Sequence, residues 1–244
     1  MRKIVFTFVF LISSTLCSAH IVLFTPEIQN TLSGGIMMDT NTGFSPYVDS
    51  KSIFVPSCFF SYKFEMPQLF AESGMRFSLH TVDFTASTVY WPLFWNRLNV
   101  GAGVTYHFLS YNGMFFEQDI LPGVFFRYSH RGFTLTTDVD YFYKWTRIYA
   151  VEKYIPWLTN KSLAVRSTWN WFILNHLDFY FCLSSYSVYQ YYLFFAPNFM
   201  TGFDWRFKSG LIAGAEFNIQ YIDMMTLSSC FNSCEIRLFT KWVF

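Results

Sequence analysis

From Phe133 to Thr146 the chain alternates without a break. Phe133, Leu135, Thr137, Val139, Tyr141, Tyr143 and Trp145 share one face of an extended chain, and Thr134, Thr136, Asp138, Asp140, Phe142, Lys144 and Thr146 share the other. Successive side chains of a strand point to opposite faces, so this period of two reads as a strand with one apolar and one polar side. The split recurs in Leu163, Val165, Trp169, Trp171 and Ile173 against Ser162, Arg166, Thr168 and Asn170, and in Phe199, Phe203, Trp205 and Phe207 against Asn198, Asp204 and Arg206. It appears again in Leu211, Ala213, Ala215, Phe217, Ile219 and Tyr221 against Gly214, Glu216, Asn218 and Gln220. Segments of about ten to sixteen residues exceed the five to six usual in soluble sheets and suit a tilted membrane crossing.

Composition separates the remaining options. The 244 residues are 23% aromatic and only 14% charged, where a globular domain carries about 25% charged residues. A formal charge of +1 excludes electrostatic capture of nucleic acid. In a soluble sandwich the apolar faces would form the core, yet they carry Trp and Tyr whose polar atoms would each need a buried partner. The longest uncharged stretch, between Asp178 and Asp204, is long enough for a helical span. It alternates aromatics every second residue and holds Ser184, Ser185, Ser187, Gln190, Pro197 and Asn198, which argues for strands. An open sheet leaves its edge groups unsatisfied in lipid, so membrane strands must close into a barrel.

The N-terminus has the layout of a secretory signal peptide over residues 1–19: basic Arg2 and Lys3, an apolar run from Ile4 to Ile12, and a small-polar tail ending at Ala19. Export and long dyad repeats together point to the bacterial outer membrane. Four cysteines remain after cleavage, too scattered for a disulfide framework. Cys230 and Cys234 are close enough to bridge across a loop and equally compatible with two free thiols; their spacing alone is not a zinc pattern.

The last ten residues alternate Ile236, Leu238, Thr240, Trp242 and Phe244 outward and end on an aromatic residue. Here the chain resembles the bacterial outer-membrane β-barrel proteins, whose closing strand typically ends this way. The resemblance implies that Phe239, Trp242 and Phe244 carry an assembly signal. It also implies periplasmic chaperones and the barrel-assembly machinery as biogenesis partners, besides the lipid bilayer itself.

The expected fold is therefore all-β: a closed antiparallel transmembrane β-barrel of about ten strands over residues 53–244, or twelve if residues 20–52 add a hairpin rather than a linker or plug. Strands are predicted near residues 53–64, 74–90, 97–110, 119–129, 132–148, 161–174, 177–189, 192–207, 210–222 and 233–244. Short turns at 129–132, 174–177 and 208–210 fall on one side, read as periplasmic, and longer loops at 65–73, 111–118, 149–160 and 223–232 on the other.

The polar faces then line the lumen with Lys63, Arg76, His107, Arg127, Asp138, Asp140, Lys144, Arg166, Asp204, Arg206, Glu216, Glu235, Arg237 and Lys241. With Glu65, His80, Arg97, Asp119 and Asp178, which share the polar faces, their signs are nearly balanced, which favours paired charges in a narrow interior over a selective ring. Phe59, Phe84, Phe125, Phe142 and Phe172 interrupt the polar pattern as a candidate apolar patch. The expected role is a small channel for small or amphipathic solutes, with a plugged barrel whose surface loops bind an external partner as the rival. A lipid hydrolase is a minor third reading. His80 with Asp83, His107 near Glu117 and Asp119, and His176 with Asp178 are its only acid–base candidates, and no serine motif accompanies them. No cofactor, metal centre or enzymatic activity is expected.

Overall fold

The computed structural model describes residues 28–39, 55–79, 81–95, 97–111, 115–150, 153–154, 158–174, 176–185, 198–221 and 231–244. The leader, His80, Asn175, the segment 40–54 and Cys230 lie outside these residues, and with them the Cys230–Cys234 bridge and the His80–Asp83 pair.

Strand β1 (Gln29–Asp39) is followed by β2 (Val55–Met66), β3 (Leu69–Ser78), β4 (Thr81–Trp95), β5 (Leu98–Tyr111), β6 (Phe115–His130) and β7 (Phe133–Ala150). A two-residue strand, β8 (Lys153–Tyr154), pairs with the end of β7. The barrel continues with β9 (Leu158–Leu174), β10 (Leu177–Ser184), β11 (Asn198–Arg206), β12 (Leu211–Tyr221) and β13 (Phe231–Val243). Every neighbouring pair is antiparallel, β7 hydrogen-bonds both β6 and β9, and β1 pairs β13 from Thr31↔Val243 to Asp39↔Glu235. With β8 set aside, twelve strands therefore form a ring without a free edge. Asn30 and Phe244 exchange backbone hydrogen bonds of 3.1 and 3.0 Å, so the terminal aromatic residue is stitched to the first strand.

Twelve is the larger of the two expected strand counts, reached by a different division of the chain. Residues 29–39 supply a single strand. The segment 74–90 belongs to two strands, β3 and β4, because the chain reverses between Ser78 and Thr81. The expected long loop at 65–73 is instead a tight connection between Met66 and Leu69. Its polar residues looked like loop because Glu65 and Glu72 are lumen-facing strand positions, opposite Phe70 and Lys63. The connection at 111–118 shrinks to residues 112–114, with Glu117 already inside β6.

The tight connections after β2, β4, β6, β9 and β11 share one rim. Between β6 and β7 the two-residue turn puts Arg131 at φ 48°, in the left-handed region. Pro92 has no N–H for the ladder, and the β4–β5 register shifts between Tyr90 and Leu93; the Trp91 amide donates instead to the Gln68 carbonyl at 2.8 Å.

The outward face is an apolar belt. Leu32, Phe60, Phe77, Val104, Phe126, Leu163, Phe203, Leu238 and Trp242 are all exposed on it. A soluble monomer rarely exposes contiguous apolar surface of this extent, whereas a barrel wall in lipid requires it.

Candidate functional site: the lumen

The strand registers bring the fourteen charged lumen candidates onto the inward parity. Asp119 lies opposite both His107 on β5 and Lys144 on β7, Arg76 opposite Asp83, Asp138 opposite Arg166, and Glu216 opposite Arg237. Because opposite residues of an antiparallel pair have Cβ atoms ~5 Å apart, the ladder itself pairs these charges.

One continuous chain of polar contacts runs around the inner wall. Lys144 Nζ donates to Glu117 Oε1 at 2.8 Å and lies 3.9 Å from Asp119 Oδ2. Asp119 Oδ2 is 3.2 Å from His107 Nδ1, and His107 Nε2 is 2.9 Å from Asp83 Oδ1. Asp83 Oδ2 accepts from Arg76 Nη2 at 3.0 Å, and Arg76 Nη1 reaches Glu235 Oε2 at 3.6 Å. Arg237 then joins Glu235 to Glu216, whose Oε1 accepts from the Tyr180 hydroxyl at 2.6 Å. The Arg76–Glu235 link connects β3 to β13 in front of β2 and β1, so the chain of contacts crosses part of the lumen. Separate pairs occupy the rest of the wall: Glu65 with Lys63 and Arg127, Asp138 with Arg166, Asp204 with Lys241, and Asp178 with Arg206.

Inward glycines make room for large neighbours. A Cβ on Gly123 would overlap the Asp140 carboxylate, one on Gly202 would sit 2.6 Å from the Tyr180 ring, and one on Gly214 would sit 2.5 Å from the Phe239 ring. Each large side chain thus lies across the bare backbone of the next strand.

The inward phenylalanines do not form one patch. Phe125 packs edge-on to Trp91 with Val89 and Phe70, while Phe142 packs with Leu121 and Ala164. Phe59 meets Phe239, and Phe172 lies under Arg206. Phe84 faces outward, opposite Phe108 and beside Tyr106. The two-residue connection after Ser78 switches the inward parity from even numbers in β3 to odd numbers in β4, which is why a single strand read through 74–90 misassigns Phe84. Phe239 also turns inward and is 6% exposed, whereas Trp242 and Phe244 lie on the lipid side.

A cavity of about 290 Å³ opens on the side of β1–β4 and β12–β13. Ser33, Ser61, Gly74 and Thr85 line it with little bulk, and Glu72, Arg76, Asp83, Glu216, Arg237 and Lys241 give it charge of both signs.

The acid–base candidates resolve differently. His107 is held between Asp83 and Asp119 and is 3% exposed, out of reach of a substrate in the cavity. Sequence reasoning missed the Asp83–His107 contact, because only the β4–β5 register brings Asp83 near His107. His176 packs edge-on to Trp205 while Asp178 pairs with Arg206, so these two turn to different neighbours. Ligand atoms of His107, Glu117 and Asp119 lie within 4.8 Å of one another; the Lys144 ammonium already supplies the positive charge between the two carboxylates.

No protein-family model matches the chain, and no curated protein matches it in sequence. Solved structures match the fold. The NanC porin superimposes with a TM-score of 0.58 at 11% identity, over 88% of this chain and 98% of that one. The KdgM porin, solved in complex with disordered oligogalacturonate, gives 0.54 at 9% identity, over 88% and 99%. The translocator domain of the autotransporter NalP from Neisseria meningitidis gives 0.51 at 9% identity, over 100% and 96%. The shared property is the closed antiparallel barrel that porins and a translocator both use.

Proposed function

We propose that this chain is a narrow channel of the bacterial outer membrane, with the passage running along the β1–β4 and β12–β13 side of the lumen. The observation that carries the reading is the 290 Å³ cavity, bordered by small residues and by charges of both signs. Such a lining suits small polar or amphipathic solutes better than a polyanion, since Arg76, Arg237 and Lys241 are each already matched by a carboxylate. NanC and KdgM, which share the fold, are porins, and this supports the reading. In this orientation the tight-turn rim faces the periplasm. The leader directs export, and the lipid-side Trp242 and Phe244 present the assembly signal to the chaperones and barrel-assembly machinery. Phe239, turned inward, is left to packing. Phe244→Ala, which keeps the backbone bonds to Asn30, is expected to reduce assembly in cells while leaving refolding of the purified chain in detergent unchanged; equal assembly would remove the signal role.

The test is conductance. Residues 20–244, refolded and inserted into a planar bilayer, are expected to produce discrete single-channel steps. Ser61→Trp, which fills the cavity from β2, is expected to shrink those steps without altering insertion. Insertion without conductance would instead favour the plugged barrel with surface-loop binding, a reading that the tightly packed wall of β5–β9 supports.

A further inference from the structure

Among the described residues, one charge of the cavity lining has no partner. The lining cations are all taken: Arg76 by Asp83 and Glu235, Arg237 by Glu235 and Glu216, and Lys241 by Asp204. Of the lining carboxylates, Asp83 meets Arg76 and His107, and Glu216 meets Arg237 and the Tyr180 hydroxyl. Glu72 is the exception. It is an exposed, inward-parity residue of β3 that borders the cavity and makes no ion pair or hydrogen bond with another described residue.

The strand registers explain why Glu72 stays free. Its opposite residue on β2 is Lys63, whose ammonium lies 2.8 Å from Glu65 Oε2 and 5.4 Å from the Phe70 ring centroid. Glu65 and Phe70 are each two residues nearer the tight-turn rim, so Lys63 reaches away from the cavity. In the other direction the next inward rung is Ser61, Gly74 and Thr85, and Ser61 shares a hydrogen bond with Ser33 of β1. The lining beside the carboxylate is therefore made of small residues and hydroxyl groups. A lone charge on a low-dielectric wall focuses its field and raises the local concentration of counter-ions, whereas matched pairs largely cancel at a distance.

We infer that Glu72 makes this cavity a cation-selecting site whose solutes are small organic ammonium ions. An ammonium carries N–H donors and no acceptor, which suits the free carboxylate together with the Ser33 and Ser61 hydroxyl oxygens on the same lining. An anion finds no equivalent partner, because each lining cation is already held by a carboxylate. The volume of about 290 Å³ lies at the lower end of the range of about 300–1,000 Å³ typical of ligand pockets, which keeps the solute small. The inference rests on the cavity being open to solutes, as in the proposed function, and does not require that they pass through.

The test places a thiol in the lining by Thr85→Cys, one rung from Glu72. The refolded mature barrel is treated with 2-aminoethyl methanethiosulfonate or with its anionic 2-sulfonatoethyl analogue. Modification at position 85 is followed by peptide mass mapping, so the native cysteines stay in place. The ratio of the two rates cancels any change in the thiol's own reactivity. Relative to a small free thiol, a preference of about tenfold for the cationic reagent is expected. Most of it should vanish in Thr85→Cys/Glu72→Gln, survive in Thr85→Cys/Glu72→Asp, and shrink in molar potassium chloride. Matched heat-dependent gel mobility of the variants separates lost selection from lost folding. Equal relative rates for the two reagents, a preference unmoved by Glu72→Gln, or a thiol that neither reagent reaches would each overturn the inference. A silent bilayer with the expected preference would sink the conduction reading and leave the cation site standing; discrete conductance with equal relative rates would do the reverse.

Discussion

The inner wall has two unlike sectors. Along β5–β9 it is filled: Leu121, Phe125 and Phe142 project inward, Trp91 closes over Phe125, and Glu117, Asp119 and Lys144 are 1% exposed or less. Along β1–β3 and β12–β13 the inward positions include Ser33, Ser61 and Gly74, and the charges stay partly solvated, with the Arg237 side chain 35% exposed. The barrel has the same hydrogen-bonded construction on both sides, so side-chain volume decides where space is left. Charge pairs in the filled sector act as structural parts, and those in the open sector border the cavity. The same type of contact therefore has different energetic weight in the two sectors.

The largest effect that would expose this difference is expected at Lys144. Lys144→Ala leaves the buried Glu117 and Asp119 carboxylates without the cation between them, and breaking such a pair costs about 3–5 kcal/mol. Urea unfolding of the refolded barrel, followed by tryptophan fluorescence, checks this. Lys144→Met combined with Glu117→Gln is expected to recover most of the loss, since apolar or neutral replacements of both partners avoid the unpaired charge. A Lys144→Ala loss under ~1 kcal/mol would mean that water reaches the filled sector, and the two sectors would then be alike.

The division between sectors was only partly legible in the sequence. The alternation of residues 133–146 assigns Asp138, Asp140 and Lys144 to one face because a strand has no other way to place them, and the same argument holds for β11 to β13. Residues 29–39 gave no comparable signal, since Ser33, Gly34 and Gly35 lack the branched or aromatic side chains that mark strands. The reversal after Ser78 is invisible for a related reason: no Gly or Pro stands between Ser78 and Thr81, so a single strand read through 74–90 places Phe84 on the inward face. The His107 partners required the registers of β4, β5 and β6, which single-strand periodicity does not encode. The sector difference itself depends on which small residues become neighbours across strands, and that is a property of the closed ring.

A smaller effect is expected where the filled sector depends on a missing side chain. Gly123→Ala puts a methyl group into the space of the Asp140 carboxylate and against the β7 backbone, and overpacking of this kind costs about 1–3 kcal/mol. Gly74→Ala in the open sector meets Ser61 Cβ at 3.4 Å, an ordinary contact, and is expected to be nearly neutral in the same urea assay. Equal losses at the two glycines would point to a general strand requirement for glycine rather than to local packing.

The smallest effect belongs to Lys241, whose 2.7 Å pair with Asp204 has a side chain 26% exposed on the Lys and 14% on the Asp. Water solvates this pair in both folded and unfolded chains, so Lys241→Ala is expected to cost no more than about 1 kcal/mol. Part of that loss is packing, because the ammonium also lies 4.5 Å from the Phe239 ring centroid. Removing Lys241 nevertheless takes positive charge from the cavity lining and frees the Asp204 carboxylate, making the cavity more negative. In a planar bilayer the variant is expected to gain preference for cations over anions, read as a shift in reversal potential across a potassium chloride gradient. Lys144→Ala, if it folds at all, should leave that potential unchanged, because its charge is sealed in the wall. A stability loss at Lys241 matching that at Lys144, with no change in reversal potential, would place Lys241 in a filled wall and erase the contrast between the sectors.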